Sequence, residues 1–345
     1  MFVLKHYSPR SIQHAFFSIR QHPKTHSGRL TLAHARSMTL PSYLLSPKQL
    51  NSVLHHKPED GSRVVPLCAS WFLPNDSQGR TGIAAYKAQR IPGARFFDLD
   101  IVKDNASPYP HMLPSRAEFA KAMGELGIGN NDTVVVYDTK ELGIFSAPRV
   151  GWTLKVLGHE KVHLLNNFRL WVDEGYPTES GEAQEFQPKR YAARETNGLR
   201  NVVDFQFVKR FATGQDKEAL LHASLLDARP KGRWAGTDPE PRPGLPSGHI
   251  PNSISVPFTE VLDPQTRAFL PASQLKKLFA DKGVNPKGPV ISSCGTGVTA
   301  VVLDAALTEA GYMDNSSTQL VYDGSWTEWA QRAPPNEELI LKTND

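Results

Sequence analysis

Cysteine is nearly absent, with two thiols, Cys68 and Cys294, in 345 residues. That excludes a disulfide framework and a cysteine-ligated zinc site, and it makes a reducing compartment the natural setting. Long apolar runs are also missing, and none approaches the ~20 residues of a membrane span. Acidic residues do not occur before Glu59, whereas Lys5, Arg10, Arg20, Lys24, Arg29, Arg36, Lys48 and Lys57 all do. Without those eight cations the formal charge of +4 becomes −4. The rest of the chain is therefore mildly acidic, and the overall charge is no sign of direct nucleic-acid binding.

Residues 1–38 are basic and rich in Ser and His, with scattered apolar residues and no compact apolar stretch. This composition is that expected of a mitochondrial transit peptide. Met38 offers an internal start, which would add a cytoplasmic form lacking the segment. The remainder, in a chain with 39% hydrophobic and 21% charged residues, reads as an ordinary soluble protein of two domains with no membrane association.

From Ser42 onward strands alternate with helices. Pro66–Trp71 reads as a strand running into a loop, Ile91–Asp100 as a turn and strand, and Pro108–Pro114 as a proline-rigid loop. Helices are expected over Glu118–Leu126 and Pro148–Leu157, and buried strands over Thr133–Asp138 and Val162–Leu165. Such alternation predicts an α/β fold with a mostly parallel sheet and helices on both faces. Residues 176–200 lose apolar periodicity and read as an interdomain linker.

The pattern then recurs. Ile91-Pro92 returns as Ile250-Pro251, Leu113-Pro114 as Leu270-Pro271, Gly158 as Gly311 and Trp171 as Trp329, at offsets of 153 to 159 residues. A period this long is domain duplication and not a solenoid. The units are residues 42–175 and 201–335, followed by a tail at 336–345. In this alignment Asp138 stands opposite Cys294, so thiol chemistry belongs to the second copy alone. Cys68 stands opposite Asp227, so any ion pair made by that Asp is lost in the first copy, and Cys68 is expected to be buried and inert.

Around Cys294 a β-prone run, Val290–Ser293, meets Gly295-Thr296-Gly297-Val298-Thr299 and then a helical stretch, Val301–Ala310. Both glycines can take positive φ and turn backbone N–H groups toward the sulfur. The following helix start adds partial positive charge there. Taken alone, these features suit a nucleophile and also a buried core cysteine. A cysteine phosphatase needs an Arg six residues on to grip phosphate, and that position is Ala300.

Several further motifs accompany this loop: Ser70-Trp71, Arg90–Asp100, Ser107–Met112, Ser146–Arg149, Leu226–Arg229, Gly232–Arg242, Ser247–Pro251 and Tyr322–Trp326. Together they resemble the tandem-rhodanese 3-mercaptopyruvate sulfurtransferase family over roughly residues 40–335. The resemblance implies two rhodanese-like domains, the first without a catalytic cysteine, and a persulfide formed on Cys294. It implies substrate contacts from Gly295, Gly297, Val298 and Thr299 and a carboxylate-binding pair, Arg233 and Arg242, whose planar forks suit that group. It further implies a relay of Asp100, His111 and Thr296, the last replacing the family's usual Ser while keeping a hydroxyl.

Thiosulfate-preferring members carry Arg and Lys after the cysteine, where this chain has Gly295 and Thr296. The expected activity is therefore transfer of sulfur from 3-mercaptopyruvate to a thiol such as thioredoxin, or to cyanide, with release of pyruvate. No metal or organic cofactor is called for. The alternatives are a thiosulfate sulfurtransferase, a relay between a cysteine desulfurase and tRNA-thiolation proteins, and a non-catalytic interaction module.

Overall fold

The computed structural model describes residues 40, 42–54, 62–215, 222–313, 319–334 and 337–343. The expected transit segment and Met38 lie outside the described residues. Two five-stranded parallel sheets organise the chain. The first contains β1 (Leu44–Leu45), β2 (Val64–Cys68), β3 (Arg95–Phe96), β4 (Thr133–Tyr137) and β5 (Val162–Leu165), in the order β1-β5-β4-β2-β3. The second contains β6 (Val202–Val203), β7 (Ser224–Asp227), β8 (Ser253–Ser255), β9 (Val290–Ser293) and β10 (Gln319–Tyr322), in the order β6-β10-β9-β7-β8. The second order repeats the first, strand for strand.

Register makes the correspondence residue-specific. Cys68 pairs with Tyr137 across β2 and β4, and Asp227 pairs with Ser293 across β7 and β9. The next residues along β4 and β9 are Asp138 and Cys294, the alignment expected from the repeat.

Helices run between the strands: α1 (Pro47–Leu54), α2 (Gly82–Ala88), α3 (Arg116–Glu125), α4 (Ala147–Val156) and α5 (Phe168–Asp173). In the second half they are α6 (Phe205–Thr213), α7 (Lys231–Ala235), α8 (Ala272–Asp281), α9 (Ala300–Ala310) and α10 (Ser325–Arg332). Helix α3 starts two residues earlier than its apolar pattern indicates. The cause is a capping box in which Ser115 and Glu118 satisfy each other's backbone N–H groups.

Alternation along the strands sorts side chains between two faces. Val134 and Val136 of β4 enter a core shared by both sheets, whereas Val135 and Tyr137 face an outer cluster. In β9, Val290 joins the shared core and Ile291 its own outer cluster. Two places beyond the buried Ser292, Cys294 also falls on the shared side. Helices α4 and α9 pack on each other in this layer. Every α4 residue except Lys155 is buried, the mark of a helix enclosed on all sides. The cysteine loop therefore opens where the two halves meet.

Two stretches expected to be peripheral are tied down. Residues 176–196 hold no helix or strand, yet the Lys189 N–H donates to the Gly124 carbonyl at 2.9 Å and the buried Tyr191 hydroxyl bonds His159 Nδ1 at 2.9 Å. The linker is thus a strap over the first half, held by backbone bonds and aromatic anchors that composition does not reveal. Within the expected tail at 336–345, the described residues 337–343 are likewise docked. Leu339 is buried, its carbonyl accepts from Trp329 Nε1, and Leu341 forms an antiparallel bridge with His249. Among the described residues no helix is long and apolar enough to cross a membrane.

Candidate active site

Cys294 is 2% exposed at the end of β9. Its N–H donates to Ser325 Oγ at 3.1 Å and its carbonyl accepts from the Trp326 N–H at 2.9 Å. The Gly295 carbonyl accepts from both the Thr327 N–H and its hydroxyl. The first turn of α10 thereby clamps the loop. Gly297 has φ 74°, and a Cβ there would lie 2.6 Å from the Asp323 carbonyl oxygen. Gly295 does not adopt positive φ, contrary to the expectation for both glycines, so one left-handed residue makes the turn. Its openness serves another purpose, since a Cβ on Gly295 would lie 3.3 Å from Arg233 Nη2. The arginine fills the space that a larger side chain would need. We expect Gly297→Ala to destabilise the fold by about 2 kcal/mol or more, through left-handed strain and the backbone clash. Urea unfolding would measure it.

The two loops at the ends of β4 and β9 differ in one respect that bears on chemistry. In the first half the Asp138 carboxylate accepts from the N–H groups of Phe145, Ser146 and Ala147 at 2.8 to 3.0 Å and from the Ser146 hydroxyl at 2.6 Å. Burial pushes its carboxyl up to about 6, against these hydrogen bonds. The cradle is filled by the chain's own anion. In the second half the N–H groups from Gly295 to Thr299 have no protein acceptor among the described residues. Such a concave set of donors at a helix start suits negative charge next to Cys294.

The expected relay residues come together across the two halves. His111 Nδ1 lies 3.0 Å from Thr296 Oγ1, and Nε2 lies 3.1 Å from Asp100 Oδ1. The other Asp100 oxygen accepts from Trp71 Nε1 at 2.9 Å, and the Trp71 ring meets the imidazole edge-on. His111 itself has φ 63°, a conformation that a non-glycine residue holds only when its surroundings impose it. Burial pushes the imidazole below its ordinary value, the Asp100 hydrogen bond opposing. The ring is therefore neutral at neutral pH. With a carboxylate at Nε2, the proton sits on that nitrogen and Nδ1 accepts from Thr296. Asp100 is held below the usual carboxylate range, chiefly by its hydrogen bond to His111.

Arg149 imposes the arrangement. Fully buried in the first turn of α4, it donates through Nη2 to the His111 carbonyl at 2.6 Å and through Nη1 to the Gly297 carbonyl at 3.3 Å. Nη1 also pairs with Asp323 Oδ1 at 2.6 Å, and Asp323 Oδ2 accepts from the Leu113 N–H at 2.8 Å. The loops carrying His111 and Cys294 are thus locked to one cation. Both residues lie in motifs visible in the sequence, but their partners are in the opposite half, and local pattern carries no signal of that.

Arginines line the other side. Arg229 pairs with Asp227 at 2.6 Å and with Glu240 at 2.8 Å, and Arg233 pairs with both oxygens of Glu240. The Asp227–Arg229 pair is the one the first half lacks, where Cys68 is fully buried and burial pushes its thiol up to about 12. Arg242 is half-buried and, among the described residues, makes no hydrogen bond or ion pair. Burial and the neighbouring Arg233 push its guanidinium below the usual value, while the charges of Cys294, Glu240 and Asp100 act the other way. A buried thiol, an open N–H cradle, a hydroxyl–imidazole–carboxylate chain and an unpaired cation can perform nucleophilic group transfer on an anionic substrate.

This architecture defines a class. The family described as "Rhodanese-like domain" matches residues 208–332. The chain is 42% identical over 293 residues to the probable 3-mercaptopyruvate sulfurtransferase of Schizosaccharomyces pombe, covering 84% of this chain and 94% of the relative. It is 37% identical over 312 residues to the thiosulfate sulfurtransferase TUM1 of Saccharomyces cerevisiae, covering 88% and 98%. The crystal structure of that Tum1 protein superposes with a TM-score of 0.78 at 36% identity, over 88% of this chain and 98% of the other. A yeast structure described as the mitochondrial complex I sub-stoichiometric sulfur transferase subunit superposes at 0.75 with 37% identity, over 88% and 100%. The chain belongs to the two-domain rhodanese-like sulfurtransferases, and it is a transferase enzyme.

Proposed function

We propose that the protein takes sulfur from 3-mercaptopyruvate onto Cys294 and passes it to a thiol or to cyanide. The observation that carries this reading is the unpaired Arg242 guanidinium beside an uncharged Gly295-Thr296 loop. A carboxylate placed there is bound away from the reacting sulfur, as a mercapto acid requires.

The Cys294 sulfur attacks the sulfur of the donor and the S–S bond forms as the carbon–sulfur bond breaks. The electron pair leaves on the enolate of pyruvate. Thr296 and His111 move the thiol proton to the enolate carbon, giving pyruvate. The cradle from Gly295 to Thr299 holds negative charge on the terminal sulfur of the Cys294 persulfide, with Gly297, Val298 and Thr299 presenting their N–H groups. A second thiol then attacks that sulfur and leaves with it, in a ping-pong cycle.

Steady-state rates with mercaptopyruvate and thiosulfate at equal concentration test the donor. A clear thiosulfate preference would install the alternative reading, that of a thiosulfate:cyanide sulfurtransferase. His111 must accept a proton, so kcat is expected to hold above pH 6.5 and to fall as acidification passes its depressed pKa. Protonation then fills Nδ1, which can no longer accept the Thr296 proton. A pH–rate profile with no fall on the acid side would remove His111 from the mechanism.

Residues 1–38 act, in this reading, as a mitochondrial address, supported by their basic, acid-free composition and by the mitochondrial setting of the yeast neighbour. A start at Met38 would give a cytoplasmic form. N-terminal sequencing of the protein recovered from each compartment checks both. The acceptor belongs to the thiol class, such as thioredoxin, and a relay from a desulfurase to tRNA thiolation is the second route. Its sign would be loss of wobble-uridine thiolation on deletion, restored only with Cys294 intact.

A further inference from the structure

Glu240 lies beneath the arginines, with its side chain 2% exposed. Oε1 accepts from Arg229 Nη1 at 2.8 Å and from Arg233 Nε at 3.1 Å, while Oε2 pairs with Arg233 Nη2. Asp227 holds the opposite edge of Arg229, through Nε at 3.0 Å and Nη2 at 2.6 Å. Arg229 and Arg233 thus each have a counter-ion, and Arg242 has none. The three cations and two carboxylates sum to one positive charge.

This cluster abuts the reacting loop, with Arg233 Nη2 3.3 Å from the position a Cβ on Gly295 would take. A carboxylate this buried is costly to desolvate, and Asp227 would suffice as partner for Arg229. We infer that Glu240 sets donor selectivity: by neutralising Arg233 it keeps the arginine cluster at one net positive charge, which matches a mono-carboxylate donor and disfavours a dianion such as thiosulfate. The inference rests on the mercaptopyruvate reading above and adds to it the group that enforces the choice. Glu240 is a positioning residue whose carboxylate, among the described residues, bonds to Arg229 and Arg233.

In Glu240→Gln the amide still accepts a hydrogen bond but the negative charge is gone. At an effective dielectric of ~20 and a separation of ~7 Å, one charge changes the binding of a singly charged ligand by more than about tenfold. A dianion gains about twice the free energy of a monoanion. The ratio of kcat/KM for thiosulfate to that for mercaptopyruvate is therefore expected to rise by that same factor, more than about tenfold. The change should appear in the thiosulfate KM and shrink as salt is added.

A purely structural role would lower both donors alike, and an unchanged ratio would overturn the inference. Glu240→Asp retains the charge and is expected to retain the wild-type ratio even if both rates fall. A raised ratio in that variant would also count against the charge. Should Glu240→Gln fail to fold, competition against the wild-type enzyme decides. Pyruvate is expected to inhibit more strongly than sulfate, and sulfate binding as tightly as pyruvate would overturn the inference. Failure of the donor reading is separable, since it would show as a wild type that prefers thiosulfate, whichever way Glu240→Gln moves the ratio.

Discussion

Cys294→Ala is expected to gain no mass on incubation with mercaptopyruvate, whereas the parent chain gains one sulfur atom. Sulfur transfer should fall by roughly 10³-fold or more, because no other group can carry the covalent intermediate. Cys68 is no substitute, being fully buried in the opposite half with its thiol pushed up to about 12. Intact-mass spectrometry reads the outcome directly. A sulfur adduct on the Ala variant would move the chemistry elsewhere and dismiss the persulfide assignment.

The second large effect is expected at Arg149. Arg149→Met leaves Asp323 buried without its cation and removes the donors to the His111 and Gly297 carbonyls. Breaking one side of a buried pair costs about 3–5 kcal/mol, which urea unfolding would show as a much lower midpoint. The surviving folded fraction should have a reduced kcat with nearly unchanged KM, since the relay loses its anchor while Arg242 stays in place. Arg149→Lys keeps the charge without the fork and should recover part of the stability and little of the kcat. A variant as stable as the parent would show that Asp323 finds another partner.

Much of the architecture was legible in advance because it is local. The strand over Val162–Leu165 was read with its observed bounds, and those over Thr133–Asp138 and Pro66–Trp71 differ by a few residues at the ends. Parity along β9 follows from the period of two. The repeat could be aligned to the residue because Gly158 and Gly311 both follow helices in left-handed conformations, and Trp171 and Trp329 are both wholly buried. The strap at 176–196 and the docked 337–343 stretch were missed for a different reason. Each is held by isolated hydrogen bonds and single anchors, and neither kind of contact has a periodic signature.

The candidate site divides along the same line. Cys294, Gly297 and the open cradle are neighbours in the chain, so turn chemistry and a helix start are enough to reveal them. The contrast with Asp138 follows from the duplication, since that carboxylate occupies the donors of the first loop. His111 and Thr296 are 185 residues apart, and family likeness put them in one relay while geometry made the hydrogen bond. Trp71, Arg149, Asp323 and Glu240 carry no local pattern that marks a role, because their partners converge only in the folded chain.

By itself, then, the sequence determined the α/β alternation, the duplication, the scarcity of thiols and the absence of cations after Cys294. Those properties are set by backbone propensity, side-chain period and residue identity within a few positions. The tertiary structure alone decided that α4 packs against α9. That packing carries Arg149 to Asp323, brings His111 to Thr296, and forms the site where the halves meet. It also decided which arginine is free. Charge pairing depends on where folded side chains converge, and that is a property of the assembled core and not of any single stretch of chain.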